Sequence, residues 1–441
     1  MGINQRSSSI EIDLEFSHSC LTSNQAKRVL GHLESNIAAI LHNEPPALIG
    51  PQDELDIWSW NSTVPDMVKI CVHDLISEVV FRQPDAPAVC SWDGDFTYAE
   101  LDSFATRLAN SLGKMGIGRG SIVPICFEKS KWTPVAMLAV MKTGAASVTM
   151  DASQPEERLR SIVAQVDAKL VISSTLKVEL AARLTATTVL VIDRSSMEAM
   201  ADNTPLAAVD PTNIIYIVFT SGSTGTPKGV IITHTNYSSA IKYQQSEHGF
   251  KSSSRVFDFA SYAFDVSWSN FLHTLTIGAC LCIPSDDDRK NDPVGAIDRL
   301  RCTHVDMTPS AASVLPASTL AKLDTIVLGG EKLSLEHAQR WSALTSVRNP
   351  YGPSECTPTS TITEINSAEI SKGKVSIGKG VGLNTWIVDP ATAQHLMPIG
   401  IPGELLLEGP LVGAGYLGDP VKTASAFIED PEFLVKGAGP G

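Results

Sequence analysis

Apolar residues recur along this chain with two different periods, and the switches between them mark out its elements. From Ile10 to Phe16 apolar and acidic residues alternate, which predicts a short strand. Val29, Leu30, Leu33, Ile37, Ile40 and Leu41 follow at helical spacing, with Thr22 or Ser23 as the cap. The run NEPPALIGPQDEL, rich in proline, then reads as a linker. From Trp58 onward strand-like and helix-like stretches alternate, which predicts α/β layers rather than a bundle or a sandwich. Thr97 and Glu100 form a capping box ahead of Leu101, Phe104, Leu108 and Leu112. Thr133-Pro134 opens a further helix that Gly144 closes. Asn213 to Phe219 (NIIYIVF) is apolar and β-rich, the pattern of a fully buried strand. The run SDDDRKND at 285–292 reads as a charged surface loop, and from about Ile377 short β-like runs such as GELLLEG alternate with glycine turns. The expected organisation is an appendage and linker over 1–57, an α/β core over 58–376 and a small β-rich subdomain over 377–441.

Composition narrows the function classes. Of 441 residues, 43% are hydrophobic and 19% charged, enough to bury a sizeable core and to exclude global disorder. The net charge of −14, without a basic stripe, argues against a nucleic acid as main partner but leaves room for a small anion. The first 20 residues carry acids inside their apolar pattern, unlike a signal peptide, and no run of roughly 18 apolar residues exists, so no membrane partner is expected. The eight cysteines form no CxxC pair and no histidine sits beside them at zinc-ligand spacing. Cys280 and Cys282 share one face of a strand as buried thiols, a usage that suits a reducing, cytoplasmic location.

The strongest candidate for chemistry is Thr220-Ser-Gly-Ser-Thr-Gly-Thr-Pro-Lys-Gly229, with three glycines, five hydroxyls and one lysine in ten residues. Gly222 and Gly225 let backbone N–H groups curl round an anion. Thr220, Ser221, Ser223 and Thr224 add donors, and Lys228 adds charge. The set suits a phosphate chain, although Pro227 stands where a Walker loop needs glycine. The plain alternative is a surface loop. A buried strand running straight into it favours a ligand, because ligands gather at strand ends in α/β sheets.

The run YIVFTSGSTGTPKGVIITH resembles the signature loop of the adenylate-forming enzymes: acyl-CoA synthetases, luciferases and the adenylation domains of peptide synthetases. Further segments resemble that family's motifs in order. They are FTYAELD at 96–102, Met141 to Arg158, Phe264-Asp-Val-Ser267, Asn349-Pro-Tyr-Gly-Pro-Ser-Glu355, and Gly403-Glu-Leu followed by GAGYLGDP. Two depart from the usual pattern: Thr-Met-Asp-Ala replaces Pro-Leu-Asp-Pro in the second, and Ser354 replaces Thr. The resemblance covers roughly 60–441 and implies the large amino-terminal subdomain of such an enzyme. It implies ATP and Mg2+ as cofactors, with Tyr351 against adenine and Gly329, Gly330 and Glu331 along the other side. Asn349 falls in the same motif, Ser354 would donate to the α-phosphate, and Glu355 would hold magnesium. Without the family, Tyr351 is a core aromatic beside a turn and Glu355 an exposed carboxylate.

Asp265 separates the subfamilies. In amino-acid adenylation domains this aspartate receives the substrate α-ammonium, whereas an isolated Asp there would be a helix cap. The resemblance then implies an amino acid as substrate and a carrier-protein domain with a phosphopantetheine arm as partner. Residues 1–57 resemble a condensation-domain tail and linker, as in fungal multimodular synthetases. Aligned on the motifs, Phe264, Asp265, Val266, Ser269, Asp306, Val327, Gly329, Pro350, Pro358 and Thr359 line the substrate pocket. Ser269, Gly329 and Thr359 are small, so the pocket should be roomy. Asp306 would answer a polar or cationic group on a long side chain, or else cap the helix opening at Thr308-Pro309. The pattern is similar to domains of ferrichrome-type siderophore synthetases that load N5-acyl-N5-hydroxyornithine; ornithine or another long polar amino acid comes next. The motif that would carry an aspartate for the ribose, and a carboxy-terminal subdomain with a lysine, are expected to be absent, so the fragment should turn over poorly. The competing readings are an acyl-CoA ligase for a plain carboxylic acid and a non-catalytic nucleotide-binding module.

Overall fold

The computed structural model describes residues 2–6, 9–18, 21–44, 47–200, 206–221, 227–371 and 373–437, with side chains from residue 13 onward. The chain forms two compact units: one of residues 65–383 with 409–423, the other of 1–64 with 384–408 and 424–441. The boundaries therefore differ from those expected at 57 and 376, because the chain leaves the larger unit at 383 and returns to it for 409–423.

Two sheets organise the larger unit. The first has six strands in the order Lys228–Thr233, Ile214–Thr220, Ala146–Asp151, Ile122–Phe127, Leu170–Ser173 and Thr188–Val191. Only its first pair is antiparallel. The second has nine strands, and its inner six, Ser346–Tyr351, Thr325–Leu328, His304–Met307, Arg255–Phe257, Cys280–Ile283 and Pro87–Ser91, run parallel. Inner parallel strands are covered on both faces, which explains the unbroken apolar runs. Ile215 to Phe219 are all buried, as NIIYIVF predicts. Val305, Met307, Ile326, Leu328 and Val347 share one core under the helix Leu335–Ser342.

The helix caps follow the sequence closely. Thr22 Oγ1 accepts from the Gln25 N–H at 3.3 Å and Thr97 Oγ1 from the Glu100 N–H at 3.2 Å, each completing a capping box. Three readings are corrected. The segment 285–292 holds a helix, Asp286–Asn291, not a loop. Ser285 caps it, three acids fill its first turn and Arg289 and Lys290 its last, so the charges lie in the order that suits a helix dipole. The helix predicted at Thr133 begins at Trp132, with Pro134 in its first turn, because Trp132 is buried against Phe96 and Phe104. Thr308, not Asp306, caps the short helix Pro309–Ala312.

In the smaller unit the strands Asn384–Val388 and Glu404–Glu408 pair antiparallel. Trp386, Val388, Leu396, Phe433 and Ile57 form its core. Arg28 pairs with Asp53 and Asp56, and the second oxygen of Asp53 accepts the Ile399 N–H at 3.0 Å. The helix Pro51–Trp60 thereby joins the amino-terminal helix Ser23–Leu41 to the two-stranded sheet. Among the described residues, no helix is long and apolar enough to cross a membrane.

Candidate active site

A cavity of about 430 Å³ opens where the parallel strands of the nine-stranded sheet end. Its floor comes from Asp306 to Thr308 after one strand, Gly329 and Gly330 after the next, and Pro350 with Tyr351 at the end of a third. This is the expected ligand position in an open α/β sheet. The helix Asp265–Ile277 forms a wall, with Asp265, Val266 and Ser269 on it and Phe264 at its cap position. Asp265 is thus the first helical residue and not the cap. Ser354, Pro358 and Thr359 close the far side. The two glycines suit this close approach: a Cβ on Gly329 would meet Pro350 Cγ at 3.1 Å, so that the proline would have to give, and Gly330 holds a positive φ of +77°.

Two acids dominate the cavity. Asp265 and Asp306 are 9% and 8% exposed. Burial raises the Asp265 carboxyl, and the Ser354 hydroxyl, which donates to its Oδ2, opposes that shift. Burial, then the neighbouring Asp265, pushes Asp306 up to about 8. Among the described residues neither carboxylate has a cationic partner within ion-pair distance. Two buried acids facing one cavity form a site that a cationic group would complete.

A second cluster lies at the roots of the signature loop. Thr220 and Lys228 face each other in the antiparallel pair, and Thr220 Oγ1 is buried without a partner among the described residues. Lys228 Nζ lies 4.6 Å from the Tyr416 ring centroid and 3.4 Å from its hydroxyl oxygen. Tyr416 donates to Glu355 Oε1 at 2.6 Å. A cation, a hard oxygen donor and an orphaned hydroxyl thus gather where the loop begins and ends, a donor set that fits a phosphate chain with a divalent cation. Gly222, Ser223, Thr224 and Gly225 lie outside the described residues, and Ser221 is exposed at their edge.

Most of the expected pocket residues meet at the cavity; a few do not. Val327 points to the same face as its registered neighbour Asp306 but is fully covered and does not border the open space. Asn349 is occupied elsewhere, its Nδ2 donating to Ser376 O at 2.8 Å. Glu331, expected to line the adenine side with its backbone, has its carboxylate engaged by the Ser310 N–H and hydroxyl, which fixes the turn after Thr308. Tyr351 is 44% exposed, with a ring face open to a ligand. The sequence reading missed His248, Phe259, Arg289 and Tyr416. Tyr416 stands in GAGYLGDP and was within reach; the others carry no local pattern.

A profile of AMP-binding enzymes matches residues 76–417. The chain belongs to the AMP-binding enzyme family. Its relatives include a nonribosomal peptide synthetase, ungA', of Aspergillus campestris, 46% identical over 428 residues that make up 96% of this chain and 4% of the relative. Peramine synthetase ppzA of Metarhizium majus is 47% identical over 88% of this chain and 14% of its own length. The chain therefore spans a small part of these relatives. Among solved structures, the nonribosomal peptide synthetase FmoA3 superposes with a TM-score of 0.82 at 23% identity, over 92% of this chain and 46% of that one. VinN superposes at 0.73 and 23% identity, over 83% and 95%. These likenesses establish the fold, the amino-terminal subdomain of an adenylate-forming ligase. Within this AMP-binding enzyme, both clusters fall inside the matched span, whereas most of the smaller unit lies outside it.

Proposed function

We propose that this chain activates an amino acid for nonribosomal peptide synthesis. A carboxylate oxygen of the amino acid attacks the α-phosphorus of ATP, the bond to the β-phosphate breaks, and pyrophosphate leaves an aminoacyl-adenylate. The thiol of a carrier domain then attacks the acyl carbon, the bond to the phosphate breaks, and AMP leaves as the thioester forms. The observation that carries the reading is the buried, cation-free carboxylate of Asp265, held by Ser354 at the mouth of a side-chain cavity. An α-ammonium completes that arrangement; a plain carboxylic acid would leave the charge unanswered, which argues against an acyl-CoA ligase. The peptide-synthetase relatives support it, as do solved forms of FmoA3 with AMPPNP and with α-methyl-L-serine-AMP bound.

The work of these residues is positioning and charge neutralisation. Tyr351 would stack on adenine beside Gly329 and Gly330, and Thr220, Lys228 and the loop between them would hold the phosphates. Ser354 would turn from Asp265 to the α-phosphate. Magnesium held by Glu355 would supply neutralisation of the phosphate charge. Asp306 and the small residues Ser269, Gly329 and Thr359 favour a long polar side chain, with N5-acyl-N5-hydroxyornithine for siderophore assembly as the leading candidate. A condensation domain upstream, of which 1–57 is the tail, and a cytoplasmic location go with this reading; the seven described cysteines are all free thiols.

Calorimetric titration with non-hydrolysable acyl-adenylate analogues decides it. Aminoacyl analogues should bind, and their forms lacking the α-amino group should bind at least 100-fold more weakly. Asp265→Asn should lose about 3–5 kcal/mol with aminoacyl analogues and leave ATP affinity unchanged. Tighter binding of the amino-free analogues would sink the reading.

A further inference from the structure

Behind the two acids lies a layer of histidines that the proposed chemistry does not use. His248, His273 and His304 are 2%, 0% and 1% exposed. His273 follows Asp265 and Ser269 at four-residue steps, so the three share one helix face. His304 precedes Asp306 by two on a strand, so both point to one side. His248 follows the helix His234–Gln244 and borders the cavity itself. The rings form one cluster: His248 and His273 lie 5.7 Å apart between centroids, and Phe250 stacks on His273 at 5.1 Å and on His304 at 4.4 Å.

None of the six ring nitrogens has a hydrogen-bond partner among the described residues. Burial holds all three imidazoles below their ordinary range, His248 at about 4, with the charge of Arg348 adding to the effect. Each is therefore neutral, with one donor and one acceptor. A buried polar group left unmet is costly, and native proteins rarely leave a cluster of them so. Of the three, only His248 reaches the open cavity. Its ring nitrogens are themselves covered, so a side chain that fills the cavity pairs with them once the ring turns toward it.

We propose that His248 is a specificity-determining residue whose ring pairs with the tip of the substrate side chain, selecting an uncharged group that both donates and accepts. An amide, hydroxyl or hydroxamate tip qualifies. An apolar tail of equal length leaves the imidazole unmet, and an ammonium, which only donates, leaves the ring N–H without an acceptor. The inference rests on the amino-acid reading above and narrows it to uncharged polar side chains, which favours an acylated hydroxyornithine over ornithine.

The probes are aminoacyl-adenylate analogues with glutamine, norleucine and ornithine side chains, titrated into the chain and into His248→Leu. The wild type should prefer the amide, and the variant should lose that preference over norleucine by tenfold or more while retaining ATP binding. An unchanged ranking overturns the inference, and so does a wild type that prefers ornithine; both leave the amino-acid reading standing. A wild type that binds no aminoacyl analogue overturns that reading and the inference with it. Should the variant fail to fold, nitrogen-15 imidazole spectra of the wild type carry the test. The His248 resonances must move with the amide analogue and not with norleucine, and equal movement with both refutes the role.

Discussion

Asp306 shows how one residue links stability to recognition. Its carboxyl titrates near 8 in the folded chain against an ordinary 3.8. Between those values the folded state keeps a proton that the unfolded state has lost, so stability falls as pH rises from about 4 towards 8 and levels off beyond. Asp306→Asn removes the titration. The urea midpoint of the wild type should fall between pH 5 and 8 by more than that of Asp306→Asn, the difference corresponding to a few kcal/mol. Parallel curves would mean that Asp306 ionises normally. Asp306 was legible as an unusual acid in the sequence, but its tie to Asp265 was not, because it depends on two elements 41 residues apart sharing one cavity. His248 was illegible for the same reason: a lone histidine after a helix carries no pattern, and only the fold shows that it borders a cavity.

At the scale of elements, local chemistry was readable and side-chain destination was not. The capping boxes at Thr22 and Thr97 appear as written, because each is a contract among four consecutive residues. The run 285–292 misled because charge density suggests a loop, whereas the order of its charges suits a helix. The hairpin that carries the signature loop adds a case between these. Its first strand was legible, but the second, and the reach of Tyr416 from a distant segment to Lys228 and Glu355, were not. Tyr416 holds both groups, so burial and its bond to Glu355 raise its phenol. Tyr416→Phe should free Glu355 and weaken magnesium-dependent ATP binding by about tenfold, the loss of one hydrogen bond to a charged group. Titrating ATP with and without magnesium checks it. An equal loss in both conditions would show that Tyr416 acts through Lys228 alone.

At the scale of the molecule, the α/β class was legible because inner parallel strands leave continuous apolar runs, but the partition into units was not. Nothing local marks residues 1–64 as companions of 384–408, since that pairing depends on apolar residues more than 300 positions apart. Trp386 is where they meet. It is buried, its ring centroid lies 5.0 Å from that of Trp58 and 5.2 Å from that of Phe433, and its indole N–H donates to Glu408 at 3.0 Å. A small unit with one modest core has little stability to spare. Trp386→Ala removes the largest member of that core and one of the donors to Glu408, at a cost of about 3–5 kcal/mol. Hydrogen exchange followed by mass spectrometry should then show protection lost across the helices Ser23–Leu41 and Pro51–Trp60 and the strands Asn384–Val388 and Glu404–Glu408. The strands Ile214–Thr220 and His304–Met307 should keep theirs. Loss spread evenly over every strand would mean that the whole chain opens as one cooperative body, and the smaller unit would then have no separate stability.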